Sequence, residues 1–392
     1  MIQFPKNFYW GAATSSYQVE GNNVNADWWP WEIQAGKERS AKACRHYEFY
    51  EQDFDLVKSL NHNAHRLSIE WSRIEPKEGE FSRQALQHYI NVIVSLRSRG
   101  IEPMVTLHHF TNPLWFAASG GWVSSLSGKR FLRYCDFVTR ALARHVHFWF
   151  TINEPTVYFS HAYLWGMWPP QAKSFFKAKT VHDHLNEAHI EAYRLIHKIY
   201  KELNLGGPSV SIAHHMQAIV GCDQGLKNRL AVAIIKHLYN FEVLDHLAKA
   251  KTLDFIGVNY YSRHLVGKNN HYPLKKNSLG WDIYPQGLAQ VLLDLKKYNL
   301  PVIIAENGIC TSDDNERWEY IQGHLKNVHL AMSQGVDVTG YLYWSLMDNF
   351  EWAYGFSPRF GLIDIDYNTY QRTVRESAHK FAQVCRTGLL LI

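Results

Sequence analysis

Eight short apolar runs recur along the chain, and each is followed by a longer segment with helical spacing. The runs predict strands at residues 8–14, 64–69, 103–109, 147–155, 209–216, 254–261, 301–310 and 338–346. Because these runs are apolar throughout rather than alternating, they predict parallel strands covered by helices. Eight repeats of this kind predict an α/β fold, a single-domain (β/α)8 TIM barrel that comprises residues 1–392.

The helical segments complete this alternation. They are predicted at residues 46–60, 84–99, 129–144, 182–204, 226–250, 288–298, 317–334 and 373–385, whereas the Trp-rich stretch 27–45 is predicted to be irregular. Hydrophobic residues make up 46% of the chain and charged residues 20%, a composition typical of a globular protein with a large core. Since no linker or low-complexity segment interrupts the pattern, one domain is predicted.

Two predicted strands end in a glutamate that follows or precedes an asparagine. Segment 301–310 reads PVIIAENGIC, with Glu306 before a predicted turn-forming Gly308, and segment 147–155 reads HFWFTINEP, with Glu154 near its end. One such glutamate alone is more often a solvated rim residue or the partner of an arginine. Two of them in a barrel favour a paired-carboxylate site, because barrels carry their active sites at the carboxyl ends of the strands.

Other side chains suited to sugar chemistry are predicted at the same end of the barrel. Glycoside hydrolysis needs two carboxyl groups, one to attack and one to protonate the leaving oxygen, with different pKa values. Arg66 and Tyr261 are candidates to keep one carboxylate ionised through charge and hydrogen bonding. The accompanying polar and aromatic residues are Gln18, His109, Asn153, Asn259, Trp344, Glu351 and Trp352.

Composition excludes several other classes of protein. The net charge is +5, but the basic residues are dispersed, so nucleic acid is not a predicted partner. Five cysteines without a C-x-x-C pair predict neither a disulfide framework nor a zinc site and favour a reducing compartment. No leader-like segment and no apolar run long enough to cross a membrane are present, so a cytoplasmic protein without a membrane partner is predicted.

The motifs along the chain resemble those of glycoside hydrolase family 1, the β-glucosidase-like retaining enzymes. The resemblance extends from Phe4 to about Phe381 and is carried by FYWGAATSSYQVEG at 8–21, TINEP at 151–155, IAENG at 304–308 and WSLMDNFEW at 344–352. GVNYY, GWDIYP and the helix with Arg317, Tyr320 and His324 match as well. The order and joint presence of these motifs are more specific than any one of them.

The resemblance implies a role for each matching residue. Glu306 is expected to be the nucleophile and Glu154 the general acid and base, and Arg66, Asn259 and Tyr261 are expected to support Glu306. Asn153 is expected to contact the sugar 2-hydroxyl. The other residues expected around the terminal sugar are Gln18, His109, Trp122, Trp344, Glu351 and Trp352. The implied activity is hydrolysis of terminal non-reducing β-D-glucosides or β-D-galactosides by double displacement, without metal or cofactor.

The chain departs from the family pattern in three ways. It has His108-His109-Phe110-Thr111 where the family usually has Tyr-His-Trp-Asp, and Ala305 where Thr is common. It is also shorter than typical members, mostly between Glu154 and Glu306. We expect the missing material to be loops and helix extensions on the side that receives the leaving group, or aglycone.

Two alternatives within the same fold stay open at this stage. A 6-phospho-β-glycosidase would carry Ser, Lys and Tyr at the positions of Glu351, Pro358 and Phe360, and a carboxylate at Glu351 would repel a phosphate dianion. A sugar-binding barrel with weak or no turnover is the other, because a fold does not guarantee competent geometry. The natural sugar, the aglycone and the oligomeric state are also open.

A metal-dependent hydrolase is the rival enzyme class, because the chain has 22 histidines. Several occur in close pairs, namely His108-His109, His145 with His147, His182 with His184, and His214-His215. Adjacent residues on a strand point to opposite faces, so each adjacent pair offers at most one inward ligand. The end of the first strand reads GAATSS and lacks an H-x-H pair, and no metal site is predicted.

Overall fold

Eight parallel strands close into a barrel in this computed structural model, which describes residues 1–267 and 273–391. The strands are β1 Tyr9–Ala13, β2 Ala64–Ser68, β3 Glu102–His108, β4 Phe148–Asn153, β5 Ser209–His215, β6 Ile256–Asn259, β7 Val302–Asn307 and β8 Val338–Trp344. Each pairs with the next in chain order, and β8 pairs with β1. The predicted (β/α)8 TIM barrel is confirmed.

Helices surround the barrel. The longer ones are His46–Ser59, Arg83–Ser98, Ser127–Leu142, Phe175–Glu202, Leu226–Lys236, Glu242–Lys249, Pro285–Asp294, Asp314–Ser333 and Glu376–Thr387. Short helices are Ser16–Glu20, Trp28–Gln34, Trp71–Ile74, Leu114–Ala118 and Pro155–Phe159, with single turns at Gly121–Val123, Ser160–Leu164, His237–Phe241, Leu295–Tyr298 and Trp352–Tyr354. Among the described residues, no helix has the length and apolar character needed to cross a bilayer.

In the described part of the chain, three short two-stranded sheets lie outside the barrel. Ile2–Gln3 pairs with Leu389–Leu390, and Ile363–Ile365 pairs with Arg372–Val374, both antiparallel. Ala218–Gly221 and Arg263–Val266, which follow β5 and β6, pair in parallel. The first of these sheets joins the two ends of the chain.

Four predictions of local structure differ from the fold. The helix predicted at 182–204 begins earlier, at Phe175, because the Ser174 side chain accepts a hydrogen bond from the Lys177 amide and caps it. The helix predicted at 226–250 is interrupted by a π-helical turn at His237–Phe241. The stretch 27–45 contains the helix Trp28–Gln34, and the start of segment 373–385 belongs to a strand rather than a helix.

The π-helical turn has an identifiable cause in the packing of Asn240. This side chain is buried, and it accepts a hydrogen bond from the Gln217 amide at 3.1 Å and donates to the Gln217 carbonyl at 2.8 Å. The His214 ring bonds the Asn240 carbonyl at 3.1 Å. These contacts with the end of β5 hold the inserted residue in place, and hydrophobic periodicity does not report them.

The lower part of the barrel interior is filled by apolar side chains. The cluster consists of Ala64, Met104, Phe148, Phe150, Ala213, Phe255, Ile303, Ala305 and Leu342, all buried. Gly257 faces it, since a Cβ there would approach a Phe150 ring carbon to 2.6 Å. The guanidinium of Arg66 lies 4.8 Å from the centre of the Phe150 ring. The polar layer of the barrel therefore begins directly on top of this apolar plug.

A buried ion pair joins the C-terminal part of the chain to an early helix. Arg372 Nε donates to Asp53 Oδ1 at 2.8 Å, and both side chains are buried. His46 also contacts the Asp53 carboxylate, at 2.7 Å. Burial raises the pKa of Asp53, but His46 and Arg372 outweigh it, so that the pKa lies below its ordinary value.

That the whole chain forms one folding domain stays a prediction.

We expect Arg372→Leu to lower the free energy of unfolding by about 3–5 kcal/mol at neutral pH, because it leaves the Asp53 charge buried without its arginine. The pair stabilises the fold above the ordinary aspartate pKa, and this contribution is lost as the pH falls through the lower pKa of the folded protein. The difference from wild type should therefore shrink in acid. Denaturant titrations at several pH values measure it. Arg140→Leu, which removes an exposed pair with Asp136, is the control and should cost under about 1 kcal/mol.

Candidate active site

A cavity of about 870 Å³ opens at the carboxyl ends of the barrel strands. Its volume lies near the upper end of the usual range for small-molecule sites, about 300–1,000 Å³. Eight residues predicted from the sequence line it: His109, Asn153, Glu154, Tyr261, Glu306, Trp344, Glu351 and Trp352. The strand ends therefore bring both glutamates and the sugar-binding candidates into one cavity.

Glu306, in β7, is held by a cation and a hydroxyl. Arg66, in β2, donates from Nη1 to Glu306 Oε1, and the Tyr261 hydroxyl donates to Glu306 Oε2. The Arg66 and Glu306 side chains are both buried. Arg66 also donates from Nη2 to Asn153 Oδ1 at 2.6 Å and from Nε to Thr106 Oγ1 at 3.1 Å. Both oxygens of Glu306 thus have a fixed donor.

Glu154 follows β4 directly and has a different set of contacts. Asn259, the last residue of β6, donates to Glu154 Oε1 at 2.7 Å and contacts Asn153 Oδ1 at 3.2 Å. The Glu154 backbone is in the left-handed region, at φ 44°, and its amide donates to the Ala213 carbonyl at 2.7 Å. Pro155 then begins a short helix. An uncommon backbone conformation of this kind is found most often at functional sites.

Burial and neighbouring charges give the two carboxyl groups different pKa values. Burial raises the pKa of Glu306, while the Arg66 cation and the Tyr261 hydrogen bond oppose the rise. Burial and the neighbouring charge of Glu306 raise the pKa of Glu154 well above its ordinary value. Among the described residues, no arginine or tyrosine is bonded to Glu154, so Glu154 holds its proton more strongly and Glu306 ionises before it.

His109 extends this network while remaining neutral. Asn153 donates from Nδ2 to His109 Nε2 at 3.2 Å, with the ring nitrogen as acceptor. Burial, followed by the charge of Arg66, lowers the pKa of His109 well below its ordinary value. Among the described residues, its Nδ1 has no hydrogen bond partner. A neutral ring of this form carries its proton on Nδ1, where it is a free donor.

Glu351 lines the same cavity and belongs to the segment after β8. Burial, and then the charge of Glu306, raises the pKa of Glu351 to about 8. Gln18 donates from Nε2 to Glu351 Oε2 at 3.4 Å and to Asn349 Oδ1 at 2.9 Å. The Gln18 Oε1 atom has no partner among the described residues. A carboxyl and an amide oxygen are thus placed together where sugar hydroxyls need acceptors.

The structure does not place Trp122 at the cavity. Its side chain is fully buried behind β3, and its indole nitrogen donates to Asn112 Oδ1 at 2.9 Å. The residue that lines the cavity next to His109 is Phe110, whose ring lies 5.4 Å from that of Trp352. The family pattern has a tryptophan directly after this histidine, and the distant Trp122 is not its substitute.

Several lining residues were not among the site residues predicted from the sequence. They include Phe110, His161, Leu164, Trp165, Trp168, Ile219, Ile235, Leu238, Trp281, Tyr354 and Phe360. Position after a predicted strand is a signal only for Phe110. The others come from loops and outer helices, whose path over the mouth depends on tertiary packing.

Gly308 of the IAENG motif has a steric role. A Cβ at this position would lie 1.7 Å from the Trp344 carbonyl oxygen. Glycine was predicted here for its ability to form a turn. The reason that the structure gives is different: the backbone at Gly308 approaches β8 so closely that no side chain fits. This approach keeps β7 and β8 together just beyond Glu306.

One histidine from each of three of the close pairs has a protein contact. His108 contacts Asn112 Oδ1 at 3.1 Å, His184 contacts the Trp122 carbonyl at 2.8 Å, and His214 contacts the Asn240 carbonyl at 3.1 Å. Within residues 1–267 and 273–391, no group of three or more His, Cys, Asp or Glu side chains has the arrangement of a metal site.

Comparison with known sequences identifies the family. The sequence model of glycosyl hydrolase family 1 matches residues 1–231 and 227–388. The chain belongs to glycosyl hydrolase family 1. Its members are retaining β-glycosidases, and the family assignment made from the motifs is confirmed.

Three relatives illustrate the range of this family. The structure of a β-glycosidase from Pyrococcus horikoshii is 40% identical, with a TM-score of 0.91 and coverage of 98% of this chain and 95% of that one. A β-glucosidase from Thermotoga maritima in complex with glucoimidazole is 28% identical, with a TM-score of 0.92 and coverage of 99% and 100%. A 6-phospho-β-glucosidase, GmuD of Bacillus subtilis, is 31% identical over 97% of both chains.

We expect Glu351→Gln to increase thermal stability, and to do so more at pH 9 than at pH 5. The folded protein binds the Glu351 proton up to about pH 8, whereas the unfolded chain releases it near the ordinary glutamate pKa, so stability falls as the pH rises between these values. Glutamine keeps the shape without this titration. Calorimetric Tm values of both proteins at the two pH values provide the measurement, and an equal difference at both would contradict the raised pKa.

Proposed function

We propose that this chain is a β-glucosidase that hydrolyses terminal non-reducing β-D-glucosides, and β-D-galactosides, by double displacement. The observation that carries the proposal is the unequal treatment of the two glutamates. Glu306 is bonded by Arg66 and Tyr261, whereas Glu154 is bonded by the Asn259 amide and has the higher pKa. One cavity thus holds an ionised carboxylate and a protonated carboxyl group, as glycoside hydrolysis requires.

In the first step, Glu306 attacks the anomeric carbon and Glu154 gives its proton to the departing glycosidic oxygen. The bond from the sugar to the aglycone breaks as the bond to Glu306 forms, which leaves a glycosyl-enzyme. As this happens Glu306 loses its charge, so the pKa of Glu154 falls and the group becomes a base. In the second step Glu154 takes a proton from water, and the hydroxide displaces Glu306. Retention by this route requires carboxyl groups about 5–5.5 Å apart.

The remaining residues of the cavity orient the sugar. Asn153 is fixed by three neighbours, because its oxygen accepts from Arg66 and Asn259 and its nitrogen donates to His109. We assign it to the sugar 2-hydroxyl, as the family resemblance implies. Gln18 and Glu351 would accept hydrogen bonds from the hydroxyls at the far side, and the Trp344 and Trp352 rings would cover the sugar faces. The bound glucoimidazole of the Thermotoga maritima relative supports a glucose-sized site.

One relative favours the 6-phospho-β-glycosidase alternative. The residues of this chain at the positions that would bind the phosphate do not favour it. Glu351 is a carboxyl group where that subgroup carries serine, and Phe360 is apolar and packs edge-on or tilted against the rings of Tyr261 and Trp281. The adjacent Arg359 is paired with Asp348 and Asp364. Among the described lining residues, the lysine and arginine are Lys276 and Arg263, and both lie beside Asp282. A phosphate dianion would therefore meet a carboxyl group, an apolar ring or an already paired cation at these places.

The acid and base role of Glu154 is tested by the dependence on the leaving group. With a dinitrophenyl glucoside, Glu154→Ala should form the glycosyl-enzyme at close to the wild-type rate, because this leaving group needs no proton. With an alkyl glucoside, the same variant should lose about 10²–10⁴-fold. Added azide should restore turnover and give a β-glycosyl azide. Stopped-flow kinetics and product analysis by NMR measure these outcomes.

Glu306→Gln is the matched comparison, since it should lose nearly all turnover with both leaving groups. A 2-fluoro glucoside should label Glu306 in wild type, as located by peptide mass spectrometry. Equal damage to Glu154→Ala with good and poor leaving groups, or labelling at Glu351, would overturn the assignment. Absence of any turnover by wild type would instead favour the sugar-binding barrel.

Glu351→Ser should lower kcat/KM for an unphosphorylated aryl glucoside by about 10²-fold or more, because the buried carboxyl group that bonds the sugar hydroxyls is lost. It should also raise the ratio of 6-phosphoglucoside to glucoside turnover, because the smaller serine leaves room for a phosphate and its hydroxyl donates to it. Steady-state kinetics of wild type and variant with both substrates test this. A wild-type preference for the phosphorylated substrate would refute the choice of free sugars.

A further inference from the structure

Eight large apolar side chains lie exposed on two neighbouring connections at the end of the barrel that holds the cavity. We call them the apolar rim: Trp165, Met167, Phe175, Phe176, Leu226, Leu230, Ile234 and Leu238. Their exposed fractions range from 49% for Trp165 to 83% for Phe176. Other exposed apolar residues, such as Ile33, Val94 and Leu330, lie on separate helices. Exposed apolar side chains that are grouped on neighbouring connections, rather than scattered singly, mark an interaction site.

The rim borders the mouth of the cavity. Trp165 and Leu238 line the cavity themselves. The helix Phe175–Glu202 follows β4 and the helix Leu226–Lys236 follows β5, so both begin at the carboxyl end of the barrel. The two connections are in contact, because His182 Nε2 lies 2.5 Å from Glu242 Oε2. The apolar surface therefore continues from the inner wall of the cavity to the outside.

The helix Leu226–Lys236 is unusual in having no buried residue, although most of its side chains are apolar. Leu226, Leu230 and Ile234 are four residues apart, a spacing that places them along one side of a helix. From Leu226 to Leu238 the stripe is about 18 Å long at the usual helical rise. An amphipathic helix with an uncovered apolar side and a basic side is the form that lies in a membrane interface.

The two segments that carry the rim have charges of one sign, and the acidic residues Asp183, Asp223 and Glu242 lie just outside them. Residues 160–182 and 224–241 contain no aspartate or glutamate. Lys173, Lys177, Lys227 and Arg229 are exposed, and no ion pair is formed with any of them by the described residues. Other basic residues of these segments are neutralised, since Lys179 pairs with Asp183 and Lys236 with Asp294. The rim thus combines apolar surface with unneutralised positive charge.

We propose that the apolar rim docks on the surface of an anionic lipid bilayer, with the mouth of the cavity turned toward the lipid. Apolar side chains enter the interface, and Lys173, Lys177, Lys227 and Arg229 contact the anionic headgroups. Docking of this kind needs no membrane-spanning helix. The docked enzyme would receive β-glucosides whose aglycone is a lipid. This part of the inference, which concerns the substrate, rests on the proposed function.

A second copy of the chain is the competing occupant. In a two-fold symmetric pair formed through this surface, the four cations of one rim would face the same four cations of the other. Like charges opposed across an interface cost several kcal/mol and no acidic residue of either segment is present to offset them. The charge of the rim therefore favours an anionic lipid surface over a second rim.

Vesicle sedimentation tests the proposal with the full chain. Wild type should bind vesicles of phosphatidylcholine containing about one-third phosphatidylglycerol, bind pure phosphatidylcholine more weakly, and be partly released by salt. Phe176→Ser and Leu230→Ser should each lower partitioning about tenfold, because one apolar side chain no longer enters the interface. Arg229→Gln should lower it about fivefold. Leu330→Ser is the control, because it makes the same change at an exposed leucine on a helix away from the rim. This variant should bind like wild type.

Turnover of a soluble aryl glucoside is measured on the same proteins, which separates this inference from the proposed function. Phe176→Ser and Leu230→Ser should keep wild-type aryl glucoside turnover and lose activity only toward a lipid glucoside in anionic vesicles. Wild type that turns over the aryl glucoside without binding vesicles overturns the docking alone. Wild type that binds vesicles without turnover overturns the function and leaves the docking supported. A dimer that Leu230→Ser converts to monomer, without vesicle binding, assigns the rim to self-association and refutes the proposal.

Discussion

The buried guanidinium of Arg66 is the contact on which the polar end of the barrel depends. It lies on the Phe150 ring, donates to Glu306 and Asn153 at once, and bonds Thr106 through its third nitrogen. A cation in this position would be costly to bury alone, and a carboxylate beside it would be equally costly. Together they are tolerated, and each fixes the position of the other. The geometry of the proposed nucleophile is therefore set from β2, on another part of the barrel.

The same cation explains how two neighbouring glutamates acquire different roles. Of the two glutamates, Arg66 bonds Glu306, while Glu154 accepts a hydrogen bond from the neutral amide of Asn259. Burial alone would raise both pKa values and leave neither group clearly ionised. The difference comes from contacts made by strands β2 and β6, not from the glutamates or their motifs. This is why the two strand-end motifs need the closed barrel around them before they specify chemistry.

Much of this arrangement follows from the sequence, because the ends of the strands can be predicted from it. Arg66, Asn153, Asn259 and Glu306 lie in predicted strands, and closing the barrel brings them together without further information. Trp122 shows the limit, since it was placed by family resemblance and the structure buries it against Asn112 instead. A motif transfers a residue only where the local spacing is the same. Phe110 takes the position beside His109, at the end of β3.

Residues on loops and outer helices were not predictable in the same way. The π-helical turn at His237–Phe241 depends on the bonds of Asn240 to Gln217, two positions far apart in the sequence. Without that turn, the residues after it would be rotated relative to the mouth of the cavity. Periodicity describes 226–250 as one amphipathic helix and implies that its apolar side is packed. The structure shows the reverse for Leu226–Lys236, which keeps no buried residue.

The exposed helix Leu226–Lys236 bears on the difference in length between this chain and its relatives. Its alignment with the β-glucosidase of Thermotoga maritima spans 439 positions, at least 47 more than the 392 residues of this chain (439 − 392 = 47). Because all eight strands are present, the difference in length lies in the connections. Large apolar side chains on a helix are ordinarily covered by another part of the protein or by a partner. Leu226, Leu230 and Ile234 are exposed and apolar beside cations, which is the pattern expected where a partner surface, rather than a further connection, covers the helix.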